Sequence, residues 1–205
     1  MSDGGASAGT PGPARIRALL AASARVTEAT GAEAADAIER AAARLVEVFR
    51  GGGKLLAFGN GGSAADAQHL ASELAGRFDR ERPALPALAL TTNSSDLTAI
   101  GNDYGFERIF SRLIEAHGGS GDAAVAFSTS GNSANVLAGV ETARARGLTT
   151  IALTGRGGGK LAAAADVAIV VPADETARIQ ESHIAVCHVL CELIDEALFG
   201  KSDAP

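Results

Sequence analysis

His69 and Glu73 stand four residues apart in a stretch with helical periodicity, so an imidazole and a carboxylate share one helix face. Such a pair can ligate a metal ion, or the carboxylate can act as a base beside the ring, although the same spacing is also common in simple surface pairs. A second polar set, Gln180, His183 and His188, marks the last helical segment. On a helix His183 and His188 point about 140° apart and so meet different surroundings, whereas Gln180 and His188 differ by about 80°. At the helical rise, however, Gln180 and His188 are separated by about 12 Å, too far for both to reach one ion bound at about 2 Å. If both serve one site, either Gln180 precedes the regular helix or His188 comes from another subunit. The second is the preferred expectation.

Two loops offer groups for an anion. Gly59-Asn60-Gly61-Gly62-Ser63 follows an apolar run and opens a helix, so its glycines permit close backbone approach and its amides can face a phosphate or a sugar hydroxyl. A tight strand-to-helix turn that needs glycine accounts for it equally well. It has neither the GxGxxG spacing of a dinucleotide site nor the GK[ST] of a Walker loop. Ser128-Thr129-Ser130-Gly131-Asn132-Ser133 repeats the arrangement with four hydroxyls at a helix start, which makes a phosphate cradle without lysine or arginine. Capping by Asn132 or Ser133 would explain one of these polar residues and leave the others unexplained. A third loop, residues 154–159, is mostly glycine and reads as a possible flexible turn. Asn102-Asp103 precedes a helical segment, with capping by Asp103 and a sugar contact both open, and His117 at a helix end needs no chemistry.

The elements that carry these loops alternate. Short, almost wholly apolar runs at residues 54–58, 87–91, 123–128, 149–154 and 167–171 read as strands covered on both faces. Helical patterns at 63–77, 104–116, 134–146 and 175–199 lie between and after them. Ahead of the first strand, Ile16, Leu19, Leu20 and Val26 share one helical stripe, and Ile38, Ala42, Leu45, Val46 and Phe49 share another. The expected fold is a three-layer α/β/α sandwich with a mostly parallel five-stranded sheet, preceded by two N-terminal helices. In such sheets ligands bind beyond the carboxyl ends of the strands, where the loops above lie. Residues 1–13 are rich in Gly, Ala, Ser, Thr and Pro and read as a disordered tail, leaving 14–205 as a single domain.

Composition narrows the function. The 205 residues carry 18 Lys+Arg against 24 Asp+Glu, a net charge of −6, so no global attraction to nucleic acid or an anionic membrane exists and an anionic ligand needs a local site. With Trp 0, Tyr 1 and Phe 7, no aromatic platform for single-stranded nucleic acid is available. Cys187 and Cys191, four apart in an apolar helical pattern, read as small buried hydrophobes. No signal-like or membrane-spanning segment is evident, which points to a cytoplasmic protein.

Taken together, FGNGGSAADAQHLASEL, IGNDYGFERIFSR, FSTSGNSANV and RIQESHIAVCHVL resemble the phosphoheptose isomerases of the sugar isomerase (SIS) family, over nearly all of residues 14–200. The resemblance implies a flavodoxin-like SIS fold and a homotetramer with active sites at subunit interfaces. It also implies conversion of D-sedoheptulose 7-phosphate into D-glycero-D-manno-heptose 7-phosphate, the first step of heptose nucleotide biosynthesis. Carried over position by position, it makes His69, Glu73, Gln180 and His188 ligands of one zinc per subunit. The substrate contacts fall on Asn60, Gly61, Gly62, Ser63, Glu73, Asn102, Asp103, Ser128, Thr129, Ser130, Ser133 and Gln180. Glu73 is then the base and His188 its partner in an enediol proton transfer.

Two other readings share the fold. The segments ERPALPALAL, ARIQESH and CELIDEALF also resemble the DnaA initiator-associating protein, a tetrameric adaptor without catalysis, but that relative carries Asn where this chain has His188 and has a less complete serine loop. A SIS isomerase or sensor for another phosphosugar is the third possibility, since the loops identify a phosphosugar better than its carbon count.

Overall fold

In the computed structural model, residues 12–200 are described. Five strands, β1 (Leu55–Gly59), β2 (Ala87–Ala89), β3 (Ala123–Ser128), β4 (Thr149–Thr154) and β5 (Val167–Val170), form one sheet in the order β2-β1-β3-β4-β5. Every pairing is parallel, so the sheet is wholly and not just mostly parallel. The helices are α1 (Pro13–Arg50), α2 (Gly62–Ala75), α3 (Ser94–Tyr104), α4 (Ile109–His117), α5 (Ala134–Ala145), α6 (Gly159–Ala164) and α7 (Thr176–Phe199).

Strand side chains alternate between two cores. Leu55, Ala57, Val125, Phe127, Ile151 and Leu153 face a cluster built with α1, α2 and α7. Leu56, Phe58, Ala124, Ala126 and Ala152 face a second cluster built with α4, α5 and α6. Both layers exclude water from the central strands β1, β3 and β4, which is why these are apolar on successive residues, whereas the edge strand β2 leaves Leu88 40% exposed and β5 is buried only at alternate residues. The chain moves from β1 outwards to β2 and then crosses to β3 on the other side of β1. The crevice therefore opens between the carboxyl ends of β1 and β3, where the two polar loops emerge.

Two expectations about helices need correction. The N-terminal stripes belong to one 38-residue helix, not two. Its alanine-rich sequence contains only Gly31 as a weak breaker, with a penalty of about 1 kcal/mol that neighbouring turns offset. The stripe of Ala34, Ile38, Ala42, Leu45 and Val46 is buried, while Ile16, Leu19 and Leu20 are 54%, 41% and 67% exposed on the projecting turns. Pro13 is the first helical residue, and the rest of the expected tail lies outside the described residues apart from Gly12.

The second correction concerns residues 104–116. A separate α3 precedes them, and α4 begins only at Ile109 after a single 3-10 turn. The start of α3 is marked by Asn93, whose side chain accepts from the amides of Ser95 and Asp96. Leu97 and Ile100 of α3 pack against the second core. Asn102 and Asp103 consequently lie in the last turn of α3, and Asp103 accepts from Asn102 Nδ2 at 2.8 Å without capping the following helix.

Candidate active site

The loop after β1 turns sharply through Gly61 (φ 57°) into α2. A Cβ on Gly59 would lie 2.8 Å from the Ser63 carbonyl and 2.9 Å from that of Phe127, so the backbone passes too close for any other residue. The loop after β3 is fixed by its own hydroxyls: Ser128 and Ser133 Oγ are 3.0 Å apart, and the Asn132 amide donates to Ser130 Oγ at 3.2 Å. Ser133 occupies the backbone cap position of α5 but makes no capping hydrogen bond, leaving its hydroxyl with Ser128. Together the two loops, with Thr176 and Gln180 of α7, line a cavity of about 310 Å³ that includes Asn60, Gly61, Gly62, Ser63, Ser128, Thr129 and Ser133.

The glycine loop after β4 is packed against the serine loop, not loosely flexible. Leu161 N donates to the Gly131 carbonyl at 2.9 Å and Lys160 N to Asn132 Oδ1 at 3.2 Å. A Cβ on Gly131 would collide with the Gly158 carbonyl, and one on Gly159 would lie 2.7 Å from the carbonyls of Ser130 and Gly131.

Asn60 and Asn135 exchange amide hydrogen bonds at 2.8 and 2.9 Å, one in each direction. This reciprocal pair ties the first loop to the first turn of α5. Asn60 therefore reaches the cavity with its side-chain amide already engaged. Asn135 is 3% exposed; sequence reading missed it because a buried asparagine one residue inside a helix has no local signature apart from the SGNSAN context.

The second cluster lies farther along α2. His69 Nε2 is 2.8 Å from His188 Nε2 and 3.3 Å from Glu73 Oε1. All three donor atoms fall within 4.8 Å of one another, and among the described residues no other group of three His, Cys, Asp or Glu side chains converges this way. The expectation that His188 comes from another subunit is corrected: His69, Glu73 and His188 meet within one chain. The reason is the register of α2 against α7. The two helices run side by side in the same direction, with Gly62 against Gln180 at one end and His69 against His188 farther on. Eight residues on α7 match seven on α2, so the 12 Å that separates Gln180 from His188 is spanned by α2 itself. Gln180 consequently sits against Gly62, where an added Cβ would lie 2.5 Å from its Nε2. Asn102 and Asp103 are exposed and do not line the 310 Å³ cavity.

Two further groups lie near the site: Asp66, which the sequence did not single out, and His183, which it placed in surroundings different from those of His188. Asp66, one turn before His69, is 8% exposed with Oδ2 unpartnered. Burial pushes its carboxyl up to about 6, against the opposing pull of His69. His183 is fully buried, with Nε2 donating to the Thr154 carbonyl at 3.1 Å and its ring edge-on to Phe127. Burial lowers its pKa to about 4, the hydrogen bond opposing that shift. Cys187 and Cys191 are free and buried, as expected, and burial pushes the Cys191 thiol up to about 12.

The His183 environment has a measurable consequence. As pH falls below about 6.5 the unfolded chain takes up a proton that the native protein refuses until about pH 4, so stability falls across that window. Asp66 acts in the opposite sense, because the native state keeps its proton up to about pH 6 while the unfolded chain releases it near 3.8. Comparison with His183→Gln cancels the Asp66 contribution. Between pH 7 and pH 4.5, urea unfolding is expected to show the native protein losing about 2 kcal/mol more than the variant; equal losses would contradict the assignment.

The SIS-domain family profile matches residues 19–155. The chain is 52% identical over 188 residues to the phosphoheptose isomerase of Geobacter sp. (strain M21), covering 92% of this chain and 98% of the relative. It is 58% identical over 166 residues to that of Rhodospirillum rubrum, covering 81% and 88%. Among solved structures, the phosphoheptose isomerase of Neisseria gonorrhoeae superposes with a TM-score of 0.85 at 47% identity, over 89% of this chain and 98% of that one. That of Francisella tularensis gives 0.87 at 39%, over 91% and 100%. The fold and the two loops thus define a SIS-domain protein, and within that family the chain belongs to the phosphoheptose isomerases.

Proposed function

We propose that this chain interconverts D-sedoheptulose 7-phosphate and D-glycero-D-manno-heptose 7-phosphate, opening the route to nucleotide-activated heptose in the cytoplasm. The observation that carries this reading is the convergence of His69, Glu73 and His188 within one chain that also presents a hydroxyl-rich phosphate cradle. Gly62, at the cradle, and His69, in the cluster, are seven residues apart on α2, about 10 Å along the axis. An extended seven-carbon sugar with its phosphate at one end and its carbonyl at the other matches a separation of that order. The name of the relatives above, phosphoheptose isomerase, supports a seven-carbon phosphosugar as the substrate class.

Ser128, Thr129, Ser130 and Ser133, with the amides of Gly61 and Gly62, hold the phosphate and fix where C1 and C2 come to rest. Glu73 removes a proton from C1 while the C2 carbonyl oxygen gains one, giving the enediol. The O1 proton then leaves as C2 is protonated on the same face, giving the aldose. His188 carries the proton between the two oxygens and Glu73 the proton between the two carbons. Without a metal, the 2.8 Å contact between His69 Nε2 and His188 Nε2 holds that ring in place; a zinc held by both rings would take over that role.

Two imidazoles and a carboxylate are a donor set that suits zinc, and their convergence supports one zinc per subunit held by His69, Glu73 and His188. Gln180 belongs to the expected ligand set, but its seat against Gly62 favours a substrate contact. When bound, zinc would supply Lewis-acid polarisation of the sugar oxygens.

A homotetramer with sites at subunit interfaces is supported by the exposed apolar turns of α1 and by Asn102, Asp103, Tyr104 and Phe106, all exposed at one corner. Asn102 and Asp103 would complete the sugar site of a neighbouring subunit. Among the described residues no helix is long and apolar enough to cross a membrane. Chelator treatment tests the metal: turnover of D-sedoheptulose 7-phosphate is expected to fall by more than about tenfold and to return with zinc, given the several kcal/mol that such a Lewis acid supplies. Unchanged turnover in protein shown to be metal-free would remove zinc from the reaction.

A further inference from the structure

We propose that Arg82 and Asp195 are positioning residues for the reaction centre, forming a buried bolt that fixes how α2 presents His69 and Glu73 to His188 on α7. The proposal rests on reading that cluster as the isomerase centre. Arg82 follows α2 in the loop leading to β2, and its side chain is 1% exposed against 5% for Asp195. Its Nε donates to Asp195 Oδ1 at 2.9 Å. Its Nη2 donates to the carbonyl of Glu73 itself at 2.9 Å, and Nη1 to those of Leu74 at 2.7 Å and Pro83 at 3.1 Å. Carbonyls in the last turn of a helix have no intrahelical partner and carry the negative end of its dipole, so one guanidinium both completes the end of α2 and binds it to α7. The Phe199 ring lies 5.9 Å from the guanidinium carbon.

Asp195 comes seven residues after His188, two turns along nearly the same face of α7. The α2–α7 pair is therefore fixed at Gly62–Gln180 near its start and at Arg82–Asp195 near the end of α2, with the 2.8 Å imidazole contact between. A buried ion pair is a poor source of stability, because apolar residues of similar volume often replace it without loss. Its location between the two helices that carry the cluster is better explained by geometry. The planar guanidinium reaches several carbonyls at once, which a lysine ammonium on a flexible stem would not reproduce.

The test separates stability from position. The double variant Arg82→Met/Asp195→Leu removes both charges and retains a packed core. It is expected to melt close to the native protein, yet to have kcat reduced by about tenfold or more with KM within about twofold, since small misplacements at a reacting centre lower rates steeply. Recovery of native kcat together with native stability would overturn the proposal. Asp195→Asn, studied below its melting temperature, gives a second reading in metal-free protein through the imidazole ¹⁵N signals of His69 and His188. The native protein is expected to show the signature of a hydrogen bond between the rings and the variant to lose it. Unchanged signals would overturn the proposal, whether or not either variant folds well. If the native protein turns over no sugar phosphate, the isomerase reading fails while the imidazole measurement still decides the bolt.

Discussion

Replacing Glu73 by glutamine is expected to leave a folded protein whose turnover falls by about 10²- to 10⁴-fold, the range that a positioned base supplies. Glutamine keeps the size of the side chain, and the contact that Glu73 makes with the rest of the fold runs through its backbone carbonyl to Arg82. Its carboxylate faces His69 Nε2 at 3.3 Å on a partly exposed helix surface, so its loss removes little packing. The variant is expected to keep the native melting temperature and the native KM for phosphosugar, because the phosphate loops are untouched. Excess zinc is not expected to restore turnover, which separates loss of the base from loss of a ligand. Activity above about one hundredth of the native value would remove Glu73 from the base role.

Gly131→Ala is the second large effect. The residue has φ 63°, where a Cβ is strained by about 1–2 kcal/mol. The added carbon also has no space, because it points into the Gly158 carbonyl of the neighbouring loop. Relief requires the serine loop and the glycine loop to separate, which breaks the Leu161 N to Gly131 O hydrogen bond. A destabilisation of about 2–4 kcal/mol is expected in denaturant unfolding. At temperatures where the variant remains folded, KM should rise more than kcat falls, since the cradle holds phosphate and not the reacting carbons. An unchanged KM would mean that Ser128, Thr129, Ser130 and Ser133 do not grip the phosphate as described.

The strands were legible because burial on both faces leaves an apolar run bounded by glycine and serine, and 123–128 and 149–154 agree with the structure residue for residue. The two polar loops were legible for the same reason, since nothing in a packed sheet requires four hydroxyls within six residues or three glycines within four. The unity of α1 was not, because only its second stripe is buried, the first stays largely exposed, and Gly31 lies between them. Nor was α3, which buries no residue fully and whose polar start at Asn93 reads as loop.

For the site, spacing along one helix correctly separated Gln180 from His188. It said nothing about which residues of α2 lie opposite each. That register depends on contacts such as Gly62 with Gln180, which are far apart in sequence, and it turned an apparent need for a second subunit into a single-chain cluster. Arg82, Asp195 and Asn135 escaped for a related reason: a buried polar side chain is recognised by its partner, and the partners here are 113, 113 and 75 residues away. His183 was noticed as polar and distinct from His188, but its burial beneath the Thr154 carbonyl depends on the sheet.

The most direct test of the account follows the reacting carbons. D-sedoheptulose 7-phosphate labelled with ¹³C at C2 is incubated with the native protein and observed by NMR. The labelled ketone carbon is expected to become a secondary alcohol carbon as an aldehyde, hydrated or in its ring form, appears at C1, and Glu73→Gln is expected to leave the ketone signal in place. Failure of any aldose signal to appear with folded, zinc-supplied native protein would contradict the assignment of His69, Glu73 and His188 as a phosphoheptose isomerase centre.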